Sequence, residues 1–329
     1  MSFSAIRDQD KAKAVLKGCL RQGRAAGGYL FTGPEGVGRL AAAKEFAKAL
    51  NCEAVNVAAQ LCEAAGSEPC DACLSCKKID AGIHPDIHLI DSQESEIKIE
   101  DIRQLQKEMS LRPFEGKFKF FIIDNAHNLN AASSNALLKV LEEPSKNSIL
   151  VLITDKPSKL FGTVVSRCKT VKFFPLKRDG LRRVLIEDHK LDNDQAHFLA
   201  YFSEGRAGRA LELKGTDMLK KKNAIIDRFN TAQRPNLENF TFKEKEDLRL
   251  CLNILAAWFR DIYLAKIGAH QSEMINLDRK LELLAAAGRY SFADLTEIFS
   301  CVSDSLRYLD QNINTKLLLY NLGAHLWKE

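Results

Sequence analysis

The sequence predicts an α/β domain built on a parallel sheet, then a small helical segment, then an all-helical C-terminal domain. Three observations carry this reading. Short apolar runs alternate with helical spacing as far as about Val171, the pattern of strands covered on both faces by crossover helices. Beyond Pro175 the apolar spacing is helical throughout. The chain has 329 residues, enough for two or three units at roughly 150 residues per domain.

Gln9 to Arg21 has helical spacing, and Gly28 to Thr32 is a short apolar strand that breaks into a glycine-rich turn, Gly33 to Gly38. Leu40 to Leu50 resumes as a helix. Ile99, Ile102, Leu105 and Met109 mark an amphipathic helix by their steps of three and four. Phe118 to Asp124 reads as a buried strand, Ala131 to Glu142 as a helix stopped before Pro144, and Ser148 to Thr154 as a third strand. A last strand lies near Thr170 to Phe174. Leu176 to Leu213 reads as three short helices broken near Leu191 and at Gly205; longer helices follow from Asp217, with a polar loop at Asn230 to Asn239. The expected divisions are 1–174 for the α/β domain, 175–215 for a small helical lid and 216–329 for the helical domain.

Apolar residues at 46% and charged residues at 28% match ordinary globular usage and exclude a disordered chain. The net charge of +5 tolerates an acidic partner without demanding one. Every apolar run falls far short of the about 18 residues a membrane span needs, and the N-terminus shows no basic-then-apolar leader. A reducing, cytoplasmic setting without membrane contact is therefore expected. There, five of the nine cysteines crowded into 52–76 favour a metal over disulfides.

Cys70, Cys73 and Cys76 repeat at every third position, close enough for three corners of one tetrahedral zinc site. Cys62 is the favoured fourth ligand because its loop is shorter; Cys52 is the alternative. With four protein ligands such a site would be structural, closed to catalysis.

Gly33, Gly36 and Gly38 follow an apolar strand and open a helix, the context of a phosphate-binding loop; a plain glycine turn is the other reading. A complete loop continues with Lys for the β- and γ-phosphates and Ser or Thr for magnesium, whereas this chain has Arg39 and Leu40. Asp124 ends its strand as a metal-ordering Asp does, but Asn125 follows where a Glu would orient water, and an amide cannot act as a general base. Three parts of a hydrolytic site are thus missing or altered.

These motifs come in a fixed order with His84-Pro85-Asp86, the helix Asn135 to Pro144, Thr154 and the triplet Ser166-Arg167-Cys168. In that order the chain resembles the clamp-loader members of the AAA+ ATPases, those of bacterial DNA polymerase III. The motifs cover the first half densely; Asn312 to Leu317 resembles the family's collar helix. The resemblance implies an AAA+ domain with a zinc insert, a lid and a C-terminal collar through which subunits assemble. The family's gamma/tau motors keep the Lys, Ser or Thr and Glu that this chain lacks, and carry an Arg where Gly208 stands between Arg206 and Arg209.

The resemblance further implies a non-hydrolysing subunit that assembles with gamma/tau and delta and helps place the sliding clamp on primed DNA. Gly33, Gly36, Gly38, Arg39, Asp124 and Thr154, the last in the sensor 1 place, would form a degenerate nucleotide site. ATP would be bound by neighbouring subunits, and Arg167 would reach across as an arginine finger. Lys156, Lys159, Arg167, Lys169 and Lys172 against Asp155 make a locally basic stretch suggestive of DNA contact. Two other readings compete. One is a gamma/tau-like motor, which Arg39, Leu40, Asn125 and Gly208 disfavour; the other is a zinc-dependent nucleic-acid module, which leaves Ser166 to Cys168 unexplained.

Overall fold

A computed structural model describes residues 6–21, 27–55, 68–92, 96–231, 245–311, 317, 318 and 320. They divide into two compact units, one formed by residues up to 181 with 205–209, the other by 182–204 with 210 onward. The stretch expected to form a lid is thus shared between the two.

The first unit is a five-stranded parallel sheet of β1 (Gly28–Thr32), β2 (Ile87–Asp91), β3 (Lys119–Asp124), β4 (Ser148–Thr154) and β5 (Lys169–Lys172). Its strand order is β2-β3-β4-β1-β5. Register follows the apolar runs: Thr32 pairs with Thr154, and Asp91 with Asp124. Successive side chains of a strand point to opposite faces. Tyr29, Phe31, Phe120 and Ile122 therefore pack under α1 (Asp10–Arg21) and α2 (Arg39–Asn51), with Leu16 and Phe46. On the other face Leu30, Phe121, Ile123 and Leu152 meet Ile102, Leu105 and Leu137 of α3 (Ile99–Ser110) and α4 (Ala131–Glu142). Both faces are covered, so the inner strands are apolar throughout. The sheet presents the C-terminal ends of β1, β3 and β4 side by side, where ligands bind in open α/β folds.

Strand β2 was not among the sequence expectations. It lies at the sheet edge beside β3 alone, with partly exposed residues and a histidine, His88, in second place. The last strand spans Lys169–Lys172, and Phe173 extends its pairing through a 2.7 Å amide bond to the Thr32 carbonyl.

The second unit is helical. Its longest helix, Lys245–Lys266, buries Leu252, Leu255, Trp258 and Ile262 among the neighbouring helices Lys280–Arg289 and Phe292–Asp310. The latter begins with a capping box between Ser291 and Asp294. Within this unit buried Lys222 reaches Asp278 at 2.6 Å and lies over the Phe198 ring. The expected loop at 230–239, apart from the helix end at Asn230 and Thr231, and the collar-like Asn312 to Lys316 lie outside the described residues. Among the described residues no helix is long and apolar enough to cross a membrane.

Candidate functional site

At the end of β1 the chain turns through Gly33, Gly36 and Gly38 and opens α2. Gly36 has φ +78°, a left-handed conformation that costs a side chain. Gly38 stands at the helix N-cap without a side-chain cap, and the amides of Gly38, Arg39 and Leu40 donate to no described residue.

Arg39 is 7% exposed, and its Nη1 is buried without a hydrogen-bond partner. Burial pulls its pKa below the ordinary value, against the attraction of Asp124, Asp155 and Glu35. Asp124 sits half-buried at the end of β3; burial raises its pKa, partly offset by the 2.9 Å amide bond from Asn125 and the charge of Arg39. Asn125 adopts the left-handed conformation (φ +53°) and leads into a short 3-10 turn, a backbone place that Asn tolerates better than Glu. The buried Thr154 hydroxyl accepts from the Lys156 amide at 3.0 Å and meets His127 Nδ1 at 3.2 Å. His127 in turn lies 3.4 Å from Asp155, and burial lowers its pKa.

The segment 205–209 lies directly on the glycine loop. Gly208 donates its amide to the Gly36 carbonyl at 2.7 Å, and a Cβ on Gly208 would stand 3.0 Å from Gly36 Cα. A side chain at 208 would therefore press on the backbone of the glycine loop, which would have to give by a few tenths of an ångström.

Arg167 is exposed near the start of β5. Its Nη2 pairs with Glu142 at 2.8 Å and its Nη1 donates to the Thr163 carbonyl at 3.0 Å. Two motifs far apart in the sequence, the helix end Glu142-Glu143-Pro144 and the triplet Ser166-Arg167-Cys168, therefore meet. Pro144 packs against Gly27, where a Cβ would come within 2.1 Å of it. Cys168 is half-buried and its thiol is pushed up to about 12 by burial. Lys156, Lys159, Arg167, Lys169 and Lys172 are all exposed.

The sulfurs of Cys52, Cys70, Cys73 and Cys76 all lie within 4.8 Å of one another. Zinc–sulfur bonds of about 2.3 Å give a tetrahedron with edges of about 3.8 Å, so this donor set fits a zinc ion. Amides of Cys70, Cys73 and Cys76 point at the sulfurs of Cys52, Cys70 and Cys73, at 3.4, 3.3 and 3.5 Å. Such bonds favour thiolates; Cys70 falls to about 6, with the Ala72 and Cys73 amides as the main cause. The fourth sulfur beside the triplet is that of Cys52, while Cys62 lies outside the described residues. Cys52 follows α2 directly and caps its C-terminus. Lys48, one turn earlier and fully buried, bonds Glu45 at 3.2 Å and Asp80 at 3.1 Å and also pairs with Asp71. Burial opposes its charge, but these carboxylates outweigh burial and raise its pKa.

His84-Pro85-Asp86 plays a framing role that the sequence did not reveal. Buried Asp86 accepts the amides of Phe114, Glu115 and Gly116 at 2.7, 2.9 and 2.7 Å. Asn51 accepts those of Lys117 and Phe118, each at 2.9 Å. Together they clamp the turn before β3.

Sheet order, glycine loop and strand-end Asp124 define a nucleotide-fold α/β protein of the AAA+ type with a helical C-terminal region. Residues 8–177 match the family model described as DNA polymerase III, delta subunit, and residues 217–323 match the model of that subunit's C-terminal part. The chain is 31% identical to the DNA polymerase III subunit delta' of Bacillus subtilis, covering 95% of this chain and 94% of that protein. It is also 36% identical to the DNA polymerase III subunit tau of Escherichia coli, over 64% of this chain and 32% of that longer protein. A solved gamma-subunit-related protein of Thermotoga maritima aligns over 97% of this chain and 99% of that one, at 18% identity and TM-score 0.42. The chain belongs to the delta' family of DNA polymerase III clamp-loader proteins.

Proposed function

We propose that this chain is a non-hydrolysing clamp-loader subunit that assembles with gamma/tau and delta subunits, lends Arg167 to a neighbour's ATP site, and helps load the sliding clamp onto primed DNA. The observation that carries the reading is a contrast within one unit. The nucleotide loop has lost its Lys, its magnesium-binding hydroxyl and its water-orienting Glu, while Arg167 stands exposed on the surface. The engagement of Thr154 with His127 and Lys156, and the glycine at 208 packed closely on the glycine loop, support the absence of turnover. An arginine finger stabilises charge on a transferring phosphoryl group and is worth about 10³ to 10⁵ in rate.

Zinc held by the cysteine cluster would be structural; Cys70, Cys73 and Cys76 join Cys52 in supplying four thiolates, which leaves no open position for substrate. Residues 1–174, 175–215 and 216–329 would act as AAA+ domain, lid and collar. The exposed basic stretch from Lys156 to Lys172 is suited to phosphate contacts with primed DNA, and salt should weaken them.

The test is reconstitution of the loader with wild-type or Arg167→Ala chain. DNA-stimulated ATPase should fall with the variant while the variant's own melting is unchanged; equal ATPase and clamp-loading rates would sink the reading. The isolated wild-type chain should release no phosphate from ATP.

A further inference from the structure

The helical unit carries an open cleft of about 390 Å³ that no motif of the sequence singled out. It lies between the helices Asn193–Phe202 and Met218–Thr231 and the end of Ala207–Lys214. Buried Phe198, Leu199 and Met218 line it, with half-buried Leu213 and Leu219. The Phe198 ring is stacked on Phe202 at 5.2 Å and covered by the Lys222 ammonium at 4.9 Å, so this part of the lining is held in place. A cleft of this size takes a few side chains of a ligand and not a whole helix.

Its polar groups ask for an acid. The amides of Met218 and Leu219 open a 14-residue helix and donate to no described residue, and a helix start favours an anion. Exposed Lys214 and Lys220 belong to the same lining; they donate to the His189 carbonyl at 3.1 Å and to Asp217 at 3.0 Å. Asp217 is the one acid among these residues, so the lysines outnumber it. Two amide side chains add direction. That of Gln195 has no partner among the described residues. Asn223 Oδ1 is buried without a partner, an unmet acceptor that a turn of the side chain toward the cleft would offer to an incoming N–H.

We propose that this cleft captures the apolar C-terminal end of a partner polypeptide, its side chains on Phe198, Leu199 and Met218, its carboxylate at the Met218 and Leu219 amides beside Lys214 and Lys220, and a main-chain N–H on Asn223. Apolar side chains, a carboxylate and an N–H a few bonds away occur together at the end of a chain, and exposed backbone amides are a known means of holding that carboxylate. An internal segment has no such charge to offer. Asp217 opposes the carboxylate and is offset by Lys220, so loss of this lysine weakens binding twice over. The proposal stands on the helical unit alone and not on the nucleotide loop or Arg167.

The test uses the full-length chain, isotope-labelled and titrated with the blocked tripeptide N-acetyl-Ala-Leu-Phe, as the free acid and as its C-terminal amide, with amide NMR signals as the readout. The free acid should shift the signals of Met218, Leu219 and the Gln195 and Asn223 side chains, and the shifts should saturate. The amidated peptide should bind about 10-fold or more weakly, the loss of charge-assisted hydrogen bonds. Lys214→Gln combined with Lys220→Gln, both at exposed positions that the fold tolerates, should weaken the free acid by a similar factor and leave the amidated peptide unchanged. Equal affinity for acid and amide, as an internal segment or an apolar small molecule would give, overturns the proposal. So do shifts that avoid the cleft, undiminished affinity in the double variant, and no binding by the wild-type chain. None of these results bears on ATP turnover or Arg167, so the proposed function stands or falls separately.

Discussion

Arg167 is joined to Glu142 at 2.8 Å, so the arginine of one motif is held by the last turn of the helix that carries another. Both side chains are well exposed, 37% and 50%, and the pair is readily exchanged for another partner. Such a contact parks the guanidinium rather than stabilising the fold.

Glu142→Gln should therefore change stability by less than about 1 kcal/mol. In a reconstituted loader it should leave ATPase equal or higher, because the arginine is freer to reach a neighbour. Arg167→Ala should lower turnover at the one site it reaches by about 10³-fold or more, and the loader's total rate by that site's share. Parallel loss in both variants would show that the pair itself is needed.

The cysteine cluster predicts one zinc per chain by atomic absorption. Cys52→Ser should lose the metal and unfold at lower temperature, and Cys62→Ser should keep it. Chelation should act beyond the cluster, because Asp71 lies between two of its cysteines and is a partner of buried Lys48. Losing Asp71 leaves buried Lys48 with Glu45 and Asp80, so the cost should stay below the about 3 to 5 kcal/mol of a fully unpaired buried charge. Retention of zinc by Cys52→Ser would reassign the fourth ligand.

Gly208→Arg would restore the arginine of the motor subunits in sequence only. Its Cβ meets Gly36 Cα at 3.0 Å, so the tight contact strains the 2.7 Å amide bond between the segment 205–209 and the glycine loop. We expect a loss of about 1 to 3 kcal/mol in denaturant unfolding and no gain of ATP hydrolysis. A stable, hydrolysing variant would contradict the close approach.

Asp86 sets a pH dependence. Burial raises its pKa, but the amides of Phe114, Gly116 and Glu115 outweigh burial and hold it below the ordinary carboxylate value. A depressed folded pKa gives stability that is present above the unfolded pKa of about 3.9 and is lost as pH falls through the folded value. Asp86→Asn should cost about 1 to 3 kcal/mol at pH 7, since its amide keeps one acceptor oxygen for three donors. Melting curves of the two proteins should converge as pH drops below about 4. A gap that is constant with pH would argue against the carboxylate.

Much of the first unit was legible because its inner strands are covered on both faces and read as unbroken apolar runs, as at Phe120 to Ile123 and Ile149 to Ile153. Edge strand β2 escaped because one neighbour and a solvent side leave it only half apolar. Sequence spacing located Cys70, Cys73 and Cys76, which sit within two turns of chain. On loop length alone it favoured Cys62 over Cys52 for the fourth place, but a loop's length does not say where its ends are brought. The ion pair of Arg167 with Glu142, the contact of Gly208 with Gly36 and the clamp of Asp86 are tertiary facts. Nothing local in the chain encodes a partner twenty-five or more residues away.

The position of β1 has a consequence for how the chain comes to be folded. Its five buried residues lie between β4 and β5, and Tyr29 is paired with Val151 and Lys169, about 120 and 140 residues later. During synthesis this stretch emerges long before either neighbour exists. Its sticky backbone edges and aromatic rings must wait while the cysteine segment, β2 and β3 are made. The two pairings of β1 can therefore form only after β4 and β5 have been made. Distant pairings of this kind make folding slow and expose the nascent chain to wrong partners, so this half of the protein is where a ribosome-bound chaperone has the most to do.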